Sequence, residues 1–107
     1  MSTSQAVVNI GKAFSRFPAG RYVADGPASG EKFREDVLRP LLVAGNSITI
    51  ELDDALGYGS SFLEEAFGGL VRSGYSANEL LARLSFESFD DSLIQEIRAY
   101  IQEAKPR

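Results

Sequence analysis

Two residue types with the widest chemical repertoire are missing from this 107-residue chain: it has no cysteine and no histidine. Without cysteine there is no disulfide framework, no thiolate metal site and no sulfur nucleophile. Without histidine the usual zinc, haem and Ser–His–Asp chemistries are lost together. Most hydrolase mechanisms are excluded on these grounds, and neither a metal nor a cofactor is expected. No apolar run approaches the roughly 18–20 residues that cross a bilayer. Met1 to Gln5 is a polar tail without the charged and apolar regions of a signal peptide. The expected location is therefore cytoplasmic, with no membrane partner. Basic residues do not cluster either: Lys12, Arg16, Arg21, Lys32, Arg34 and Arg39 are spread singly. With 15 acidic and 11 basic residues the net charge is −4, which repels phosphate backbones, so no nucleic-acid partner is expected.

What remains is ample for a core. Hydrophobic residues make up 44 % of the chain, including seven Phe and four Tyr, so a single folded domain over residues 1–107 is expected rather than disorder. A domain of this size is stable by only about 5–10 kcal/mol.

The segments alternate in type. Ala6 to Ile10 is a short β-rich run, predicted as a strand. Phe14 to Gly20, punctuated by Pro18 and Gly20, reads as a turn region. Arg21 to Ala24 is predicted as a second short strand in a hairpin with the first, ahead of the turn Asp25-Gly26-Pro27. Ser29 opens a helix whose apolar stripe is Phe33, Val37, Leu38, Leu41 and Leu42. Pro40 falls inside that stripe and is expected to kink or end the helix near Arg39. Ser47 to Asp53 is the clearest strand, with Ile48, Ile50 and Leu52 alternating with Thr49, Glu51 and Asp53.

Beyond a loop at Leu56 to Gly59, a helix is predicted from Phe62 to Arg72, with Phe62, Leu63, Ala66, Phe67, Leu70 and Val71 on one face. Gly68 and Gly69 inside it cost about 1 kcal/mol each relative to Ala, which is tolerable where another backbone approaches closely. Ser76 to Glu79 has a capping-box pattern ahead of a short helix, Ala77 to Arg83. Leu84 to Ser88 is predicted as the last strand. Asp90 and Asp91 start a final helix with Leu93, Ile94, Ile97, Tyr100, Ile101 and Ala104 on one side. This order predicts an α/β domain: a small mixed sheet of about four strands with amphipathic helices packed on it. The first two strands are expected to be antiparallel and the others joined by crossovers. A free edge at Ala6 to Ile10 or at Leu84 to Ser88 would permit self-association.

The functional signal concentrates between Leu52 and Ala66. A strand ends in acidic residues, a glycine-bounded loop follows, and a helix begins with two serines. Ligands and partners of open α/β sheets bind beyond the carboxyl ends of the strands, and a helix start attracts anions. Ser61 and Glu64 have capping-box spacing, which would leave Ser60 just outside the helix with a free hydroxyl. Gly57 and Gly59 around Tyr58 fit positive φ or close approach by a partner. Tyr58 has two readings: an exposed aromatic of an interface, or a ring folded back over the first helix. Arg21, Asp25 and Arg34 also have two: a polar binding cluster beside the loop, or an internal ion-pair network holding the hairpin to the first helix.

Longer stretches carry a resemblance. They are Phe14-Ser15, Pro18-Ala19-Gly20-Arg21-Tyr22, Asp25-Gly26-Pro27, Ser29-Gly30-Glu31 with Phe33-Arg34, and the run from Gly57 to Leu70, GYGSSFLEEAFGGL. On these, from about Val8 to Ile101, the chain resembles the bacterial STAS-like family of unknown function, related to anti-sigma-factor antagonist (STAS) domains. The resemblance implies a STAS-like fold and a non-catalytic regulatory module that docks a protein partner. In the antagonists, the loop before the second main helix carries an Asp-Ser pair. A partner kinase with a GHKL-type ATP-binding fold phosphorylates that Ser, which blocks binding. The corresponding stretch here is Gly59-Ser60-Ser61, with Gly59 in place of the Asp.

The partner-binding residues implied are Gly57, Tyr58, Gly59, Ser60, Ser61, Phe62, Glu64 and Glu65, with Ser60 and Ser61 as phosphorylation sites. A phosphate on Ser60 would add about −1.5 to −2 charges near helix N-terminal donors, opposed by Asp53, Asp54, Glu64 and Glu65. Two other function classes remain open at this level. Asp53, Asp54 and Glu64 could bind Mg²⁺ in a carboxylate-dependent phosphotransfer enzyme. Alternatively, the domain could be a subunit of a multi-protein defence or stress system whose partner supplies the chemistry.

Overall fold

A computed structural model describes residues 4–106. Residues 1–3 of the polar tail lie outside the described residues, and Gln5 belongs to the first strand rather than to the tail. Three strands, β1 (Gln5–Asn9), β2 (Ser47–Glu51) and β3 (Leu84–Glu87), form one sheet in the order β1-β2-β3. Both ladders are parallel, Gln5 pairing with Ser47 and Ile48 with Leu84. The sheet thus has three parallel strands rather than about four in a mixed arrangement.

The missing strand is the one expected at Arg21 to Ala24. Val23–Asp25 is instead a single 3₁₀ turn, and the chain before it is tied to the start of the next helix. Ala19 N donates to Ala28 O, Gly30 N to Gly20 O and Glu31 N to Arg21 O. Those bonds use the backbone groups that a hairpin would need, and Gly20 at φ +92° turns the chain away from extended geometry.

The alternation of each strand decides where the core lies. Val8, Ile48, Ile50, Leu52 and Leu84 are buried on one side of the sheet, with Phe86 packed against them. Gln5, Val7, Ser85 and Glu87 are exposed on the other. Helices cover the first face: one over 30–43, one over 60–72, and Asp91–Glu103 across the second of these. A cluster of rings fills the space between them. Phe33 lies 5.1 Å from Phe14, 5.8 Å from Phe62 and 6.3 Å from Phe67 (centroid to centroid), and Phe67 meets Phe86 edge-on at 5.5 Å. Short polar side chains fix the helix starts: Ser29 accepts from Lys32 N at 3.1 Å and Ser76 from Glu79 N at 3.0 Å. The reciprocal half of the Ser76 capping box is replaced, because Glu79 pairs with Arg83 at 3.0 Å.

Both long helices widen in the middle. Residues Arg34–Leu38 and Glu64–Gly68 each form a π turn between two α segments. The first explains why Pro40 does not end its helix near Arg39. Arg39 N donates to Arg34 O, five residues back, and this wider turn opens the helix where the proline ring would press on the carbonyl of Asp36. The helix continues to Val43. Among the described residues, no helix is long and apolar enough to cross a membrane.

Candidate functional site: the exit of β2 and the paired glutamates behind it

All three parallel strands end on one side of the molecule, at Asn9, Glu51 and Glu87. A depression of about 490 Å³ lies there, lined by Glu51, Asp53, Asp54 and Glu87 together with Lys12 and a fully exposed Phe89. The carboxylates have local partners. Asp53 accepts from the Ser88 hydroxyl at 2.6 Å and from Phe89 N at 2.8 Å, so it fixes the turn leaving β3. Asp54 accepts from Asn9 Nδ2 at 2.5 Å and lies 3.9 Å from Lys12. Gly11 makes room for this loop, because a Cβ there would overlap the carbonyl of Asp54.

From Asp54 the chain runs along the surface to the second long helix. Leu56 N donates to Arg16 O at 2.8 Å, which brings the loops around Phe17 and Leu56 together. Those two side chains are 68 % and 65 % exposed, an apolar pair that the sequence reading missed. Exposure is not legible in a single Leu or Phe within a loop. Tyr58 is half-buried: its ring lies 6.1 Å from Phe62 and its hydroxyl donates to Leu52 O at 2.6 Å. It folds back, as one of its two readings had it, but onto Phe62 and the end of β2 rather than onto the first helix. Burial, reinforced by Asp53 and Asp54, raises the pKa of its phenol well above the ordinary value, so it stays a neutral donor. Gly57, Gly59, Ser60 and Ser61 are exposed.

Phe62 and Glu65, both expected in the binding set, are not available to a partner. Phe62 is fully buried in the ring cluster and Glu65 is buried behind the loop. The Ser61–Glu64 capping box is also absent. The helix starts two residues earlier than that box requires, at Ser60 rather than Phe62, with Gly59 at the cap position and no side-chain cap. Arginines take the Glu64 carboxylate instead.

Those arginines form the main electrostatic feature of the domain. Glu64 accepts from Arg21 at 2.5 Å and from both terminal nitrogens of Arg72, at 2.7 and 3.0 Å. Glu65 accepts from Arg34 at 2.6 Å, from Arg72 at 3.2 Å and from Arg21 at 3.3 Å. Arg34 also donates to the Glu65 carbonyl at 2.9 Å. The hydrogen bonds from Arg72, then those from Arg21, hold the Glu64 carboxyl below its ordinary pKa. Of the cluster Arg21, Asp25 and Arg34, the structure unites Arg21 and Arg34 through Glu65. Asp25 stands apart, accepting from Tyr22 N within its own turn at 2.9 Å.

Arg72 was missed because it stands eight residues after Glu64, about 80° away around a regular helix. The π turn absorbs about one residue without rotation and brings it into line. Gly68 and Gly69 belong to the same device. A Cβ at Gly69 would overlap the Arg34 guanidinium, and one at Gly68 would overlap the Glu64 carboxylate. The trio Asp53, Asp54 and Glu64 is not assembled as a Mg²⁺ site, since Glu64 is turned to its arginines. Among the described residues, no three acidic side chains are grouped to hold a metal ion.

A family model described as a STAS-like domain of unknown function (DUF4325) matches residues 29–93. The chain belongs to that family. The STAS-like match opens at Ser29, the cap of the first long helix, and takes in β2, the loop, the second long helix and β3. It is narrower than the expected Val8 to Ile101 and omits β1 and the Phe14 to Pro27 signature. No curated protein and no solved structure matches the chain significantly.

Proposed function

We propose that this STAS-like domain is a non-catalytic, protein-binding regulatory module whose contact surface is the loop leaving β2, residues 54–61, together with Phe17. The observation that carries this reading is the exposed pair Phe17 and Leu56, held at the rim of a loop pinned at both ends. Tyr58 anchors one side of the loop to Leu52 O, and Asp54 anchors the other to Asn9. Exposed apolar side chains on a main chain held in place favour docking, because little backbone entropy is lost on binding. The kind of partner implied by the anti-sigma resemblance is an ATP-binding protein of the GHKL type. Phosphorylation of Ser60 or Ser61 would regulate that contact. Its electrostatic opposition is smaller than the sequence indicates, because Arg21, Arg34 and Arg72 already neutralise Glu64 and Glu65.

The test is quantitative affinity capture with three forms of the domain. Leu56→Glu should lose a protein that the unaltered chain and a Val43→Glu control both retain, since Val43 is exposed on another part of the surface. Equal capture by all three folded proteins would exclude the loop as the contact.

A further inference from the structure

We infer that the free edge of β1 pairs with the β1 edge of a second copy of this chain, antiparallel about Val7, to give a continuous six-stranded sheet. The register settles which groups are available. Ser47 N bonds Ser4 O, and Gln5 lies opposite Ser47. The main-chain groups of Ser4, Ala6 and Val8 therefore face β2, and those of Gln5, Val7 and Asn9 point outward. Among the described residues β1 is the outer strand on its side of the sheet, and the Val7 side chain is 66 % exposed on the face that no helix covers.

The two outer strands are not equivalent. β3 has four residues, ends in Glu87 and turns Leu84 and Phe86 back towards the helices. β1 reads Gln5-Ala6-Val7-Val8-Asn9: five residues with no charge and no proline. It lacks the devices by which sheet proteins discourage edge pairing. A second copy is the occupant that this strand fits best, because the segment is self-complementary about its centre. Antiparallel pairing sets Val7 opposite Val7 and Gln5 opposite Asn9, so an apolar pair forms at the two-fold axis with amides on either side.

Charge favours this direction. Glu51, Asp53, Asp54 and Glu87 all lie at the carboxyl end of the sheet, whereas Arg83 at the amino end is balanced by Glu79 at 3.0 Å. Antiparallel pairing brings the acidic end of one copy beside the amino end of the other. Parallel addition would stack two acidic ends, which like-charge repulsion opposes. The pairing uses the main chain of β1 rather than the exposed side chains of the 54–61 loop, and so does not depend on the function proposed for that loop. An interface centred on one short strand is small, and small interfaces give weak, concentration-dependent association.

Sedimentation velocity over a range of about 1 µM to 1 mM tests it, as a weak interface requires. The unaltered chain should move from monomer to a species of twice 11.6 kDa as concentration rises. Val7→Lys sets two ammonium groups facing each other at the axis and should weaken the dimer about tenfold or more. Circular dichroism verifies that it is folded, as the exposure of Val7 leads one to expect. Ser85→Lys, on the same open face but on β3, should leave association unchanged. A chain that stays monomeric to the top of that range, or a dimer weakened as much by Ser85→Lys as by Val7→Lys, would overturn the inference.

Discussion

Replacing Arg34 by Met tests whether the paired glutamates are a structural element of the core or a decoration of its rim. Arg34 and Glu65 have side chains only 11 % and 9 % exposed, at 2.6 Å. Methionine keeps most of the apolar stem, so the packing loss is small and the change is chiefly electrostatic. Glu65 Oε2 then loses its partner, while Arg21 and Arg72 still reach Oε1 at 3.3 and 3.2 Å. Removing one member of a buried pair costs about 3–5 kcal/mol, and the two surviving arginines place this case near the lower end, at about 3 kcal/mol. That is about 30–60 % of the stability of a domain this size. With a urea slope of about 1.5 kcal/mol/M, the unfolding midpoint should fall by about 2 M. Arg39→Met is the internal control. Its pair with Glu35 is 3.5 Å long and about 40 % exposed on both sides, so it should change stability by no more than about 0.5 kcal/mol. The double variant Arg34→Met/Glu65→Leu should recover much of the loss, since no buried charge is then left unpaired. A loss below about 1 kcal/mol for Arg34→Met, equal to that of an exposed pair, would refute the reasoning.

Two further outcomes follow from the same helix contact. Because the folded-state pKa of Glu64 is depressed, its contribution is fully present above the unfolded carboxyl value of 4.5 and is lost as the pH falls through the lower folded value. Urea midpoints should therefore hold steady from neutrality to about pH 5 and drop below it, and Glu64→Gln should shallow that acid limb while lowering stability at neutral pH. Gly30→Ala should destabilise by about 1–3 kcal/mol, since a Cβ there meets the Phe62 carbonyl and the Ala66 amide of the neighbouring helix. Thermal melting that shows Gly30→Ala to be neutral or stabilising would mean that the two helices can separate slightly without cost.

Much of this architecture is legible in the chain, for identifiable reasons. The alternation of Ile48, Ile50 and Leu52 marks β2 because only one face of the sheet is buried. The stripes of the 30–43 and 60–72 helices survive their π turns because each turn shifts the buried face by one residue rather than removing it. Arg21 to Ala24 misleads because Tyr and Val favour strands locally, whereas the decisive bonds join the segment to residues 28–31. The site is legible only in part. Glycines at 57 and 59 announce an exposed loop, whereas Ser60 and Ser61, expected outside the helix and at its cap, form its first exposed turn. The role of Glu64 and Glu65 is not legible, because cap spacing looks the same whether or not three arginines compete for the carboxylates. Arg72 lies at a separation that only a widened helix brings to the same side.

Among the described residues the sheet contains no hairpin, and this governs how the chain can assemble. Gln5 meets Ser47 across 42 residues (47 − 5) and Ile48 meets Leu84 across 36 (84 − 48). Each ladder must close a long loop, paid in chain entropy, before any strand bond forms. During synthesis β1 emerges first and has no neighbour until β2 has left the ribosome, and β2 then waits for β3. The helices between them are the elements that can form early. Folding of this domain should therefore be timed by the docking of its helices, with the sheet as the last part to zip.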